Sequence, residues 1–166
     1  MITIISGTNR KDSMTLRVAQ HYLTIIQTLT DSVHLLSLED INVWEENPQL
    51  TAIQQQWLIP AQKFVFVMPE YNGSFPGILK LLMDNTDIKR CWWHKKAALV
   101  GLADGRGGNL RGIEHMTNIL HYLKMNVHYN KLPLSRINEE INVQGELLRQ
   151  PTVAAIRQQI EEFINY

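Results

Sequence analysis

The chain lacks the features that mark several large classes of protein. It has one cysteine, Cys91, among 166 residues, so an intrachain disulfide is excluded and a reducing, cytosolic setting is expected. Its six histidines, at positions 21, 34, 94, 115, 121 and 128, include no i, i+4 pair, which with one thiol argues against a structural zinc site. Sixteen Lys and Arg are balanced by sixteen Asp and Glu. That neutrality removes the electrostatic footprint of a nucleic-acid-binding protein and leaves no patch suited to anionic lipid. No apolar run approaches the ~20 residues of a membrane span, and because the apolar stretch Ile2 to Ile5 follows Met1 directly, no signal peptide is expected. Also missing are the dinucleotide fingerprint G-x-G-x-x-G, the nucleoside-triphosphate loop G-x-x-x-x-G-K-[ST], the hydrolase elbow G-x-S-x-G and the zinc motif H-E-x-x-H.

What is present is a globular composition, 45% hydrophobic and 19% charged. A chain of this length is expected to form one domain over residues 1–166, burying about two-thirds of its unfolded surface. Strand and helix patterns alternate along it. Strands are expected at Ile2 to Ile5, Val33 to Leu38, Lys63 to Met68, Ala97 to Leu102 and Asn126 to Tyr129. Helices are expected after the N-cap Ser13 (with Leu16, Ala19, Leu23 and Ile26 inward), from Leu50 towards Pro60, over Ile78 to Met83, over Asn109 to Lys124 and near Thr152 to Ile164. A polar stretch containing Pro133 separates the last strand from the last helix. Five strands joined by helices imply an α/β fold with a parallel sheet and right-handed crossovers.

Three loops at strand C-terminal ends carry the chemistry, and that edge is where open α/β sheets bind ligands. After the first strand, Ser6-Gly7-Thr8-Asn9-Arg10-Lys11-Asp12-Ser13-Met14-Thr15 offers four hydroxyls and one guanidinium just before a helix N-terminus. Those groups suit a terminal phosphate; an ordinary polar turn with a Ser cap is the alternative. After the third strand, Pro69 ends the apolar run, and Glu70-Tyr71-Asn72-Gly73-Ser74 crowds polar groups into a turn before the next helix. After the fourth strand, Ala103-Asp104-Gly105-Arg106-Gly107-Gly108-Asn109 is rich enough in glycine to approach a flat ligand, although Leu110 breaks the dinucleotide fingerprint.

Gly7-Thr-x-Arg-x-x-Ser13 and Pro69-Glu-Tyr-Asn-Gly-Ser-Phe-Pro-Gly-x-Leu-Lys80 resemble the NADPH-dependent FMN reductase family, which includes azo-dye, quinone and chromate reductases. The resemblance implies a flavodoxin-like three-layer sandwich with a five-stranded parallel sheet of order 2-1-3-4-5, tightly bound FMN, and NADPH or NADH as hydride donor. It also implies a homodimer, or a tetramer of paired dimers, with flavin near the subunit contact. Carried over by position, Thr8, Arg10, Ser13 and Thr15 hold the phosphate. Pro69, Glu70, Tyr71, Asn72, Gly73 and Ser74 flank the isoalloxazine on one side, and Gly105, Arg106, Gly107 and Gly108 on the other. Two positions depart from the family pattern: Thr15 stands where Asn is usual, and Asp104 where a small hydroxyl residue or glycine is usual. Asp104 is therefore expected to point away from the ring or to cap the next helix.

The implied activity is ping-pong: hydride passes from nicotinamide to FMN and then to a small acceptor such as a quinone, azo compound, free flavin or metal ion. Such chemistry needs no protein nucleophile and no catalytic acid is named. Glu70 and Tyr71 are expected to shape their loop, and main-chain N–H groups of Asn72 to Ser74 to contact the flavin edge. The rival from another class is a flavodoxin-type electron carrier, which binds FMN without enzymatic turnover; the neutral charge and Arg10 argue against it. A phosphorelay receiver would need an aspartate where the third strand ends in Met68-Pro69-Glu70. In Trp92-Trp93, one ring is available for a partner or an acceptor, or else both cover the end of the sheet.

Overall fold

A computed structural model describes residues 1–142 and 145–166. Five parallel strand positions run in the order β2-β1-β3-β4-β5, formed by β1 (Ile2–Ser6), β2 (Val33–Ser37), β3 (Lys63–Pro69), β4 (Lys96–Leu102) and β5 (Asn126–Val127). This is the flavodoxin-like order, with its switch point between β1 and β3. Ile2 aligns with both Val33 and Lys63, and β3 pairs with β4 from Lys63↔Lys96 to Pro69↔Leu102.

A sixth strand, β6 (Leu132–Leu134), adds to the expected five. It resumes the outer edge where β5 stops, aligning Leu132 to Leu134 with Val100 to Leu102. Pro133 lies within it. Proline is tolerated there because an edge strand does not need every N–H for the ladder. The expected fifth strand is shortened accordingly, from Asn126–Tyr129 to Asn126–Val127.

Side-chain alternation along β3 explains the three layers. Phe64, Phe66 and Met68 join one buried cluster with Leu79, Leu82, Trp92, Ile113 and Met116. Val65 and Val67 join the other, with Val18, Tyr22, Ile26, Ile156 and Phe163. The first layer therefore rests on α3 (Gly77–Asp84) and α5 (Leu110–Tyr122), and the second on α1 (Met14–Gln27) and α7 (Gln150–Asn165).

The remaining helices are short: α2 (Pro48–Ile53), α4 (Ile88–Cys91) and α6 (Ile137–Glu140). The helix expected from Leu50 begins at Pro48 behind the N-cap Asn47, then widens over Gln54–Leu58 into a π-helical turn closed by Ile59 N–H donating to Gln54 O at 2.8 Å. Lys95 closes the end of this turn, with its Nζ donating to Leu58 O at 2.7 Å and Ile59 O at 2.9 Å. Among the described residues, no helix is long and apolar enough to cross a membrane.

Candidate functional site

Ser13 caps α1, its Oγ accepting from Leu16 N–H at 3.1 Å, and no acidic residue stands in the first turn. The positive end of a 14-residue helix therefore faces the C-terminal edge of the sheet. There Arg10, Lys11, Ser13, Met14 and Thr15 line one end of a cleft of about 270 Å³. Pro69, Glu70 and Tyr71 form a second wall, and Leu102, Ala103 and Asp104 a third. Ile137 and Asn138 at the start of α6 close it. The volume is near the lower limit, about 300 Å³, of small-molecule sites.

The first and third loops are directly bonded to each other. Oγ1 of Thr8, which is 1% exposed, lies 2.6 Å from the phenol oxygen of Tyr71. Arg10 donates its backbone N–H to the same Thr8 oxygen at 3.3 Å, and its guanidinium carbon stands 4.2 Å above the centroid of the Tyr71 ring. Thr8 thus lies behind the cleft wall.

Tyr71 to Ser74 is a tight turn. Tyr71 N–H donates to Ser74 O at 2.8 Å, Ser74 N–H donates to Tyr71 O at 3.1 Å, and Asn72 and Gly73 take φ of 51° and 77°. Of the three backbone donors expected to meet a flavin edge, Ser74 N–H is therefore already used. Those of Asn72 and Gly73 remain at the tip. Ser74 Oγ is 2.9 Å from His115 Nδ1 on α5.

The glycine loop divides by role. A Cβ on Gly105 or Gly107 would meet nothing within 4 Å. Gly108, at φ 54°, has no such room, since a Cβ there would stand 2.7 Å from the carbonyl carbon of Pro133. Gly108 is fixed by packing on β6, and Arg106 is exposed on the loop.

Asp104 lines the cleft and does not cap the next helix: the N-cap position of α5 belongs to Asn109, five residues on. Sequence reasoning missed Asn109 as a support of the site. Its backbone is left-handed at φ 61°, and its Nδ2 donates to Met68 O at 3.1 Å and Pro69 O at 3.0 Å, tying α5 to the strand end beneath the turn. The only sequence signal was Gly112 inside a helix, which normally costs about 1 kcal/mol relative to alanine. Ile137 and Asn138 were also missed, since no motif marks them.

The tryptophan pair lies away from the cleft. Trp92 is fully buried against Phe64 and Phe66, and the ring of Trp93 lies under Lys124 Nζ at 3.6 Å. Both precede β4 and so sit at the N-terminal edge of the sheet. This removes Trp93 as an acceptor-pocket residue.

The donor set can be tested against a flavin mononucleotide. One end supplies a guanidinium, hydroxyls and a helix N-terminus, which a phosphate dianion requires. The other supplies Pro69, Tyr71, Leu102, Ala103 and Ile137, apolar or aromatic surface for a flat ring. The residues fit. A larger groove, about 540 Å³ between α3 and α5, carries no comparable anion-binding end.

A family profile described as NADPH-dependent FMN reductase matches residues 1–139. A 2-hydroxy-1,4-benzoquinone reductase of Burkholderia sp is 25% identical over 162 residues, covering 90% of this chain and 88% of its own length. An NAD(P)H-dependent FMN reductase of Pseudomonas aeruginosa is 25% identical over 167 residues, covering 95% and 89%. Among solved structures, the flavoenzyme NAD(P)H:(acceptor) oxidoreductase FerB from Paracoccus denitrificans superposes with a TM-score of 0.75 at 19% identity, covering 99% of this chain and 95% of its own.

Proposed function

Because the chain belongs to the NADPH-dependent FMN reductase family, we propose that it is an FMN-dependent oxidoreductase that uses NADPH or NADH to reduce small acceptors, quinones foremost. The observation that carries this is the cleft itself, with Arg10, Ser13 and the α1 N-terminus at one end and the Pro69 to Tyr71 and Leu102 to Asp104 walls at the other. The Burkholderia relative, a 2-hydroxy-1,4-benzoquinone reductase, supports the acceptor class.

The chain's residues bind and orient. Arg10 and the hydroxyls of Ser13 and Thr15 neutralise and donate to the phosphate, with Thr8 held behind them. Pro69, Glu70 and Tyr71 would shape one wall for the ring, and the Asn72 and Gly73 N–H groups would be the donors available to its polar edge. Gly105, Arg106 and Gly107 leave the opposite side open, and Gly108 anchors that loop. FMN, when bound, would supply the redox chemistry. With one cleft serving both, donor and acceptor would bind in turn, which would give ping-pong kinetics.

The same proposal makes residues 1–166 one FMN-binding domain working in the cytoplasm as a homodimer, or as a tetramer of such dimers. Support for pairing comes from the groove between α3 and α5, rimmed by the exposed Ile88 and Tyr122.

Steady-state oxidation of NADPH with a quinone tests the enzymatic reading. Turnover is expected, with parallel double-reciprocal lines. FMN firmly bound but negligible turnover with any quinone would favour the flavodoxin-type carrier.

A further inference from the structure

Tyr71 makes contacts that a wall residue does not require. Its hydroxyl shares a 2.6 Å hydrogen bond with the buried Thr8 hydroxyl, and its ring face carries the Arg10 guanidinium at 4.2 Å. Its own backbone is fixed on both sides, by the doubly bonded turn to Ser74 and by Glu70 N–H donating to Leu102 O at 2.8 Å. Tyr71 therefore connects the loops after β1 and β3, next to a residue bonded to the end of β4.

The way Arg10 is held matters chemically. A carboxylate partner would neutralise its charge and occupy its in-plane N–H donors. An aromatic face does neither: it attracts the cation through the ring quadrupole and leaves all five donors free for phosphate oxygens. Among the described residues no carboxylate forms an ion pair with Arg10, whereas its neighbour Lys11 pairs with Asp40 at 3.4 Å.

We propose that Tyr71 is a positioning residue for the phosphate end of the cofactor: it presets Arg10 and the Thr8 loop from the ring wall, so that the two ends of FMN are recognised as one unit. This rests on the FMN reading above. Its distinguishing consequence is that replacing Tyr71, a residue of the ring wall, weakens recognition of the phosphate, and does so through Arg10.

The test uses the full chain, stripped of flavin and titrated with FMN and with riboflavin, which lacks the phosphate, while flavin fluorescence is followed. Tyr71→Leu is expected to weaken FMN roughly tenfold more than riboflavin, the combined worth of a cation–π contact and a hydrogen bond. In an Arg10→Gln background that extra loss should fall to less than half. Tyr71→Phe, which keeps the ring face, should retain most of the discrimination and guards against a folding artefact in the leucine variant. Equal loss of both flavins in Tyr71→Leu, or an FMN-specific loss undiminished without Arg10, would overturn the proposal. A wild-type chain that binds neither flavin would overturn the FMN reading itself, a result distinct from either of those.

Discussion

A Cβ atom on Gly112 would stand 2.2 Å from Oδ1 of Asn109. That contact fixes the identity of a residue one turn into α5 from the site, because the Asn109 amide must stay where it reaches Met68 O and Pro69 O. Glycine in an exposed helix is normally improved by alanine, by about 1 kcal/mol. Here the sign reverses. Gly112→Ala must displace Asn109 and leave two strand-end carbonyls without their donor, a loss of about 1 to 3 kcal/mol. Thermal unfolding should therefore show a lower Tm, and bound flavin should leave faster. A raised Tm would show that Asn109 does not hold the strand end.

Asp104 places a carboxylate residue on the lining of the same cleft as Tyr71. A negative charge beside a flavin disfavours the reduced, anionic form, so Asp104→Asn should raise the midpoint potential. Because the side chain is exposed, solvent screens the effect to the order of 10 mV for a two-electron couple. Spectroelectrochemical titration of both proteins decides it. An unchanged or lowered potential would mean that the carboxylate turns away from the ring.

Lys95 ties the π-helical turn to β4 while nearly excluded from solvent. Burial lowers its pKa to about 8, and burial raises that of the neighbouring Cys91 thiol to about 11. Above pH 8 the folded Lys95 releases its proton while the unfolded one keeps it to about 10.4, so the unfolded state binds more protons and stability rises with pH. From about pH 9 the unfolded Cys91 ionises while the folded thiol does not, which opposes the gain. Urea midpoints should therefore climb between pH 8 and 9 and flatten beyond. Lys95→Met should abolish the climb and lower stability overall, since Leu58 O and Ile59 O lose their donor. A climb that persists in Lys95→Met would assign it to another group.

Much of this architecture is legible in the residues. Phe64 to Met68 and Ala97 to Leu102 are uninterrupted apolar runs because both faces of a central parallel strand are covered, and each continues into a loop of the site. Strand β6 was hidden by its brevity and by Pro133, whose exclusion from sheets does not extend to edges. Of the residues expected inward on α1, Ala19 and Ile26 are buried. Leu16 and Leu23 lie at the margin of the buried stripe, whereas Tyr22 is fully buried because its hydroxyl donates to Gln159 Oε1 at 2.6 Å. That partner is 137 residues away, beyond the reach of local periodicity. The contacts of Asn109 with Met68 and Pro69, and of Tyr71 with Thr8, were invisible for the same reason. The motif marked the loops, and only tertiary structure shows how they are bonded to one another.

The central claim is that the cleft between Arg10, Tyr71 and Asp104 holds FMN. The most direct test is the absorption spectrum of the purified protein, with the flavin released on denaturation identified by chromatography. A yellow protein releasing FMN in near-equimolar amount, or a colourless one that takes up added FMN stoichiometrically, is the predicted result. A colourless protein that rejects added FMN would contradict the account.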